Sequence, residues 1–259
     1  MARGCWEEEL MRATISQDRR STYNGKSPEH RGKFSRQPEE NTWHPRHVFQ
    51  RKPNIFCVGR NKTGMTSLET ALRSLGFKIA PQARAELLTP EWARRDFASL
   101  IRFCRKYDAF QDVPFSLDFT YVAFDQAFPG SRFILTERDN AQVWYESMVR
   151  FSAKLLGVTG VPTVSDLANF EYRSQPARKG ELLRRFQLVY DSDTSKVFDR
   201  NLLIAHYENH NRSVRNYFRH RPKDLLILNL KEPDAMERLC HFVGRPYNGE
   251  SMPHENMSG

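Results

Sequence analysis

The stretch Ile55-Phe-Cys-Val-Gly-Arg-Asn-Lys-Thr-Gly-Met-Thr-Ser-Leu68 decides the fold that this sequence predicts. Residues 55–58 are a short apolar run of the kind that forms a buried strand. A polar loop bounded by Gly59 and Gly64 follows. The apolar residues after the loop recur at helical spacing: Leu68, Ala71, Leu72 and Leu75. Gly76 stands where a helix commonly ends, so the stretch predicts a strand, a glycine-bounded loop and a helix.

This order of elements predicts a binding site for an anion. The first backbone N–H groups of a helix have no partner within the helix, and the helix dipole places partial positive charge beside them. A loop that turns directly into such a helix aims several N–H groups at one point. We therefore expect residues 59–66 to hold a phosphate or a similar group.

The loop differs from a Walker A loop at its lysine. Gly59, Gly64 and Thr66 match the pattern G-x-x-x-x-G-K-[ST], but Met65 occupies the lysine position. The lysine of this loop is Lys62, two residues before the second glycine. A nucleoside triphosphatase needs its lysine after that glycine, where it reaches the β- and γ-phosphates. A P-loop kinase or nucleoside triphosphatase with a displaced lysine is therefore only the alternative interpretation.

Residues 59–68 resemble the 5′-phosphosulfate-binding loop of sulfotransferases, enzymes that use 3′-phosphoadenosine 5′-phosphosulfate (PAPS). The usual loop has a basic residue, then Ser or Thr, Gly and two Thr, and Met65 replaces the first of those two. The resemblance implies that Lys62 is catalytic and that the loop binds the cofactor. The implied cofactor contacts are Arg60, Lys62, Thr63, Gly64, Met65, Thr66 and Ser67.

A second segment resembles the element with which sulfotransferases bind the 3′-phosphate. Arg138 follows a strand predicted over residues 132–137, and Ser147 lies on a helix predicted over 141–156. The Arg-to-Ser interval is one residue longer than is usual. An arginine offers a planar fork that suits a phosphate, and the resemblance implies that Arg138 and Ser147 bind this group. The alternative is a surface arginine paired with Asp139 and a solvated serine.

Asp112 follows a strand predicted over residues 108–111 and lies where the family places its general base. Asp112-Val113-Pro114 is similar to a branch of the family with an Asp-x-Pro form, which implies that Asp112 orients or deprotonates the acceptor. An unperturbed aspartate has a pKa of about 3.9, too low for an efficient base near neutral pH. The role therefore requires burial that raises this pKa. The alternative is a strand-end residue that bonds loop N–H groups.

The composition is that of a basic globular protein. The chain has 259 residues with a formal net charge of +9, and 39% of them are hydrophobic. This charge favours an anionic ligand or partner without choosing among them, so a non-catalytic basic module that binds a polyanion is a further alternative. The cysteines and histidines show no metal-ligand spacing, and we expect no metal. No apolar stretch is typical of a membrane span or a signal peptide, so we expect a cytoplasmic protein without a membrane anchor.

The chain is predicted to be one domain preceded by a tail. Residues 1–50 are polar and aperiodic, which indicates a disordered or loosely packed segment. Residues 51–259 indicate a single three-layer α/β domain with a central, mostly parallel sheet flanked by helices, of the P-loop nucleotide-binding type. Further helices are predicted at about 90–104, 121–128, 198–218 and 234–243, and further strands at 77–80 and 225–230.

With the resemblance, these features imply a PAPS-dependent sulfotransferase that requires no metal. Its product from PAPS would be adenosine 3′,5′-bisphosphate, and its acceptor a hydroxyl or amine of a small molecule or glycan. We expect no nucleic-acid partner, and the sequence indicates no particular oligomeric state.

Overall fold

The computed structural model describes residues 53–171, 179–190 and 197–254. The predicted tail, residues 1–50, lies outside these ranges. Within them the protein is α/β, with a central sheet of parallel strands flanked by helices. The predicted fold class is confirmed.

The sheet has the strand order β2-β1-β3-β4, and each neighbouring pair is parallel. The strands are β1 (Ile55–Cys57), β2 (Ala109–Phe110), β3 (Arg132–Thr136) and β4 (Leu225–Leu228). The chain adds β2 on one side of β1 and then β3 on the other side. Such a reversal opens a crevice at the carboxyl ends of the two strands concerned, where open α/β sheets bind their ligands.

The helices of the described ranges lie between and after the strands. They are α1 (Met65–Ser74), α2 (Gln82–Ala85), α3 (Thr89–Ala93), α4 (Phe97–Cys104), α5 (Thr120–Ala127), α6 (Ala141–Leu156), α7 (Val164–Asn169), α8 (Glu181–Tyr190), α9 (Arg200–Phe218) and α10 (Ala235–Val243), with a 3-10 turn at Glu86–Leu88. α1 follows β1 after one short loop, and α6 follows β3 in the same way. Two helix N-termini therefore lie beyond the two strands that border the crevice.

Core packing covers both faces of the sheet. Alternate residues of β1 face opposite sides, as the pleat of a strand requires. Ile55 and Cys57 lie in the cluster that contains Leu239 of α10. Phe56 lies in the other cluster and stacks with the rings of Phe110, Phe124 and Phe133. This packing fixes the end of β1, from which the loop of residues 59–64 departs.

The single helix predicted at about residues 90–104 is wrong, because two helices occupy that stretch. α3 ends at Ala93, Arg95 has a left-handed φ of 62°, and the Asp96 side chain caps α4 by accepting from the N–H of Ala98. The apolar residues continue at helical spacing across the break, so the pattern alone does not show it.

Two further differences concern short elements. The strand predicted at 77–80 is reduced to one bridge between Ile79 and Ala109. α8 has no counterpart in the prediction, although its apolar residues follow Gly180 at helical spacing. Phe186 and Tyr190 of α8 lie in a third cluster with Trp144 of α6. α8 thus lies behind the helix that follows β3.

Candidate functional site

The loop after β1 and the segment after β3 meet at the crevice of the sheet. Arg138 is the second residue after β3, and its Nε donates to the backbone carbonyl oxygen of Lys62 at 2.7 Å. The indole N–H of Trp144, on the first turns of α6, donates to the carbonyl oxygen of Asn61 at 2.8 Å. Two segments that the sequence predicted as separate parts of one site are therefore joined directly.

The loop owes its shape to two glycines. A Cβ on Gly59 would lie 2.2 Å from Oγ1 of Thr136, so only a glycine allows β1 to end this close to β3. Gly64 has a φ of +99°, which favours glycine, and a Cβ there would lie 2.3 Å from the Leu230 side chain. Substitution of either glycine would displace the loop.

The Thr63 hydroxyl is used inside the loop. It donates to the carbonyl oxygen of Arg60 at 2.6 Å and forms a 2.5 Å hydrogen bond with the hydroxyl of Thr136. Thr63 is only 1% exposed. The geometry favours a role for this side chain in shaping the loop, and leaves the backbone N–H of Thr63 for a ligand.

The start of α1 has the properties of an anion site. Its N-cap, Gly64, provides no side-chain cap, and its first turn carries no acidic residue. In the described ranges, the backbone N–H groups of residues 62–66 donate no hydrogen bond to another backbone carbonyl. A cluster of N–H groups at a helix N-terminus suits one end of a phosphorylated ligand.

The Met65 side chain does not belong to this anion site. It is 5% exposed and lies in the apolar cluster that contains Leu68 and Leu230. The position at which a Walker loop carries its lysine therefore points into the core here. Thr66, the next residue, is half-buried, and Ser67 is buried.

Lys62 has an unusual setting for a cation. Its backbone is left-handed, with a φ of 67°, and its Nζ lies over the Phe151 ring, 2.9 Å from the ring centre. Burial lowers the pKa of Lys62 to about 8, while the negative charges of Asp112 and Glu86 oppose this shift and the Arg138 charge adds to it. A lysine with this pKa is an ammonium at neutral pH that releases its proton in mildly basic solution.

Asp112 is held at the start of the loop after β2. It has a left-handed φ of 58°, and its Oδ1 accepts from the N–H of Val113 at 2.8 Å. Burial raises the pKa of Asp112 to about 6, against the attraction of the Lys62 charge and with support from the charge of Glu86. The carboxylate therefore meets the requirement for a general base near neutral pH.

Arg138 is placed by its backbone and has side-chain donors to spare. Its N–H donates to the hydroxyl of Tyr207 at 3.0 Å, and its Nε is bonded to the carbonyl of Lys62. In the part of the chain that the structure describes, no acceptor binds Nη1 or Nη2. Burial lowers the pKa of Arg138, which remains a cation at neutral pH.

Ser147 lies on the face of α6 that is turned to the loop. It is three residues after Trp144, which bonds the carbonyl of Asn61, and four residues before Phe151, which contacts Lys62. Residues at these intervals share one helix face. The register of α6 thus places Ser147 between two residues that contact the loop of residues 59–64.

The resemblance implies that Arg60 contacts the cofactor, but its side chain bonds Asp118 instead. Its side chain is 2% exposed, and its Nη2 donates to both carboxylate oxygens of Asp118 at 2.9 and 3.0 Å. Asp118 also bonds Nδ1 of His210 at 2.8 Å. The geometry favours a part for Arg60 in holding the loop, with its backbone beside the anion site.

Sequence reasoning assigned no role in the site to four residues of this region. Phe151, Tyr207, Asp118 and His210 contact residues of the loop or its supports. The helical interval between Ser147 and Phe151 is a signal that points to the latter. No local signal pairs Asp118 with His210, since the two are 92 residues apart in the chain.

The described residues include no candidate metal site and no helix that could span a membrane. No group of three or more His, Cys, Asp and Glu residues is arranged to hold a metal ion within those ranges. No helix in the same ranges combines the length and apolarity needed to cross a bilayer.

The fold and the site together define a parallel α/β protein with a glycine-bounded loop and a helix N-terminus at its switch point. A family model described as a sulfotransferase domain matches residues 54–259. The chain belongs to the sulfotransferase family, which confirms the resemblance found in the sequence. A search of curated proteins finds no significant match. The family supports a transferase enzyme with sulfotransfer activity.

Proposed function

We propose that this protein transfers a sulfuryl group from PAPS to a hydroxyl or amine of a small molecule or glycan. The observation that carries the proposal is the bond from Arg138 to the carbonyl of Lys62. It joins the Arg138 guanidinium, whose Nη atoms bind no acceptor in the described ranges, to a loop whose N–H groups donate to no backbone carbonyl there. Two anion-binding groups on one rigid frame suit a nucleotide with phosphates at both ends.

The residues present fit the two ends of PAPS. The backbone N–H groups of residues 62–66, which donate to no backbone carbonyl in the described ranges, would hold the 5′-phosphosulfate. The Thr66 hydroxyl and Ser67 would complete that contact. Nη1 and Nη2 of Arg138 would bind the 3′-phosphate as a fork, with Ser147 beside them on α6. Met65 would contribute only its backbone, because its side chain lies in the core.

PAPS would supply the sulfuryl group: the acceptor atom forms a bond to sulfur, the bond from sulfur to the 5′-phosphate oxygen breaks, and adenosine 3′,5′-bisphosphate leaves. Asp112, with its raised pKa, would take the proton of the acceptor. The Lys62 ammonium would stabilise negative charge that grows on the leaving phosphate. The proton and the charge are thus handled by two side chains of opposite sign.

Asp112 and Lys62 suit these tasks in the same pH interval. Asp112 is ionised above about pH 6 and Lys62 is protonated below about pH 8. Their mutual attraction maintains both charges in the interval between, although burial opposes each. Near neutral pH the site therefore holds a base and an acid at the same time.

Ligand-induced stabilisation tests the proposal. We expect adenosine 3′,5′-bisphosphate to raise the melting temperature of the full chain. A 100-fold excess over Kd should add about 2.7 kcal/mol to the free energy of unfolding. ATP with Mg²⁺ serves as the comparison, because a P-loop kinase would bind it instead. Stabilisation by ATP with none from millimolar bisphosphate would overturn the proposal. Binding of a polyanion that survives Lys62→Ala and Arg138→Ala would favour a non-catalytic basic module.

A cytoplasmic location belongs to the same proposal. Cell fractionation with an antibody to the full chain tests it, and recovery of the protein in a membrane or secreted fraction would contradict it.

A further inference from the structure

A group of three interacting charged side chains, two of them buried and one partly exposed, lies beneath the proposed phosphate loop, residues 59–66. Asp118 precedes α5, Arg60 belongs to the loop, and His210 belongs to α9. The Asp118 carboxylate accepts from Nη2 of Arg60 and bonds Nδ1 of His210 at 2.8 Å. His210 is 2% exposed and Arg60 equally so. None of the three is needed for the chemical step proposed above.

His210 faces a hydrogen-bond acceptor at each ring nitrogen. Nδ1 lies 2.8 Å from a carboxylate oxygen of Asp118, and Nε2 lies 2.7 Å from the backbone carbonyl oxygen of Val58. A carboxylate and a carbonyl can only accept, so both nitrogens must donate. A neutral imidazole has one N–H, whereas an imidazolium has two. The geometry therefore requires the imidazolium form when the carboxylate is ionised.

The charges around the ring are set by Asp118 and Arg60. Burial and the Arg60 charge lower the pKa of His210 overall, and the Asp118 carboxylate and the Val58 carbonyl oppose this shift without cancelling it. The expectation of an imidazolium therefore rests on the two facing acceptors and not on the pKa. The bonds from His210 and Arg60 hold the pKa of Asp118 well below its usual range. Tyr121 of α5 meets the ring edge-on, with 6.3 Å between ring centres. The carboxylate thus stays ionised beside Arg60 and His210.

The Val58 carbonyl lies at the start of the phosphate loop, so this group of side chains acts on the position of the loop. Val58 directly precedes Gly59, at which the phosphate loop begins, and its N–H bonds Ile134 of β3 at 2.8 Å. The His210 ring bonds the carbonyl oxygen of Val58, so β3 and α9 each hold one backbone group of this residue. Arg60, two residues further on, is held through Asp118. Val58 and Arg60, the residues on either side of Gly59, are thus tied to α9 by one ring and one carboxylate.

We propose that His210, as an imidazolium, is a positioning residue for the phosphate loop: it joins the carbonyl of Val58 to Asp118 and through Asp118 fixes Arg60. That the loop binds the donor nucleotide rests on the proposed function. The charge state of the ring and the hold on β1 do not rest on it. Loss of either ring N–H frees one end of the loop entry.

Nitrogen–proton NMR of the imidazole side chains in the full chain tests the charge state. We expect the His210 ring, assigned by through-bond correlation, to show two protonated nitrogens near neutral pH. We expect Asp118→Asn, which keeps an acceptor but removes the charge, to shift His210 to a neutral ring. A neutral His210 in the wild type would overturn the proposal.

Calorimetric binding of adenosine 3′,5′-bisphosphate tests the positioning role. We expect His210→Gln and Asp118→Asn to weaken this binding about tenfold or more, since small displacements of a binding loop are costly. His241→Gln, at an exposed position of α10, is the control and should bind as the wild type does. Folded variants that bind with wild-type affinity would contradict the role. If His210→Gln does not fold, Asp118→Asn decides the question alone.

The two proposals fail in different ways. A wild type that does not bind the bisphosphate refutes the proposed function, while the NMR spectrum still decides whether His210 is an imidazolium. A wild type that binds it, with affinity unchanged in both variants, refutes only the positioning role.

Discussion

The Nε of Arg138 donates to the backbone carbonyl oxygen of Lys62 across 2.7 Å, and this bond ties the end of β3 to the loop after β1. It also orients the guanidinium, because a planar group fixed at Nε presents both Nη atoms on one side. A lysine at this position has no such geometry. The arginine therefore has two separate tasks: it holds the loop, and it offers a fork to an anion.

Arg138→Lys should reduce the selectivity of the site for a nucleotide that carries a 3′-phosphate. We expect its affinity for adenosine 3′,5′-bisphosphate to fall about ten- to a hundredfold, the worth of a charge-assisted pair of hydrogen bonds. Affinity for adenosine 5′-monophosphate, which lacks the 3′-phosphate, should fall much less. Isothermal titration with both nucleotides measures the difference. Arg212→Lys, at an exposed position of α9, is the control. Equal losses for both nucleotides would show that Arg138 does not read the 3′-phosphate.

Met65 and Thr66 are neighbours with opposite expected effects. Met65→Ala removes a buried side chain and should lower the free energy of unfolding by about 2–5 kcal/mol. The folded fraction should still bind adenosine 3′,5′-bisphosphate as the wild type does. Thr66→Ala should leave stability nearly unchanged and weaken that binding. Chemical denaturation measures the free energy of unfolding, and titration measures the affinity. If Met65→Ala weakened binding and Thr66→Ala lowered stability instead, the Met65 side chain would lie at the ligand.

Asp112→Asn should stabilise the protein while it abolishes transfer. The pKa of Asp112 is raised from 3.8 to about 6, so the unfolded chain ionises first and stability is lost as the pH rises through this interval. Asparagine carries no charge, keeps the acceptor for Val113 and tolerates a left-handed φ. We expect a gain on the order of 2 kcal/mol near neutral pH. Thermal denaturation measures it.

Asp125→Asn is the control for that experiment. The pKa of Asp125 is lowered, against its burial, by hydrogen bonds from Arg221 and Tyr217, so its charge stabilises the fold. The same substitution there should lower the melting temperature. A stability loss at both positions would show that burial does not dominate at Asp112.

The rate of transfer should depend on pH as a bell. Activity should rise as Asp112 ionises near pH 6 and fall as Lys62 loses its proton near pH 8. These limbs belong to the interacting pair, because each charge shifts the other. Steady-state kcat/KM across this range measures both limbs. Residual activity of Lys62→Arg should lack the basic limb, and a basic limb that persists in this variant would assign it to another group.

The fold and the loop that forms the candidate anion site follow from local pattern in the sequence. The apolar run before Gly59, the loop and the amphipathic α1 each have a short-range cause, and the structure contains all three. The break at Arg95 has a weaker signal, because apolar periodicity continues across it. Asp96, a good N-cap residue, is the one local sign of a new helix.

The support of the site is not readable from local pattern. The contact of Lys62 with Phe151 and the pairing of Asp118 with His210 depend on how distant helices pack. Sequence patterns report which residues are apolar or polar along one element, and they carry no register between elements. The shifted pKa of Asp112 follows from the same packing, since burial causes it.

The most direct test is transfer of radiolabelled sulfate from PAPS by the full chain to a panel of small-molecule and glycan hydroxyls and amines. Lys62→Met is compared with Lys154→Met, which removes a lysine from the exposed last turn of α6. We expect labelled product from the wild type and from Lys154→Met, and a rate about 100- to 1000-fold lower from Lys62→Met. Labelled product formed by Lys62→Met at the wild-type rate would contradict the assignment of this loop as the catalytic centre.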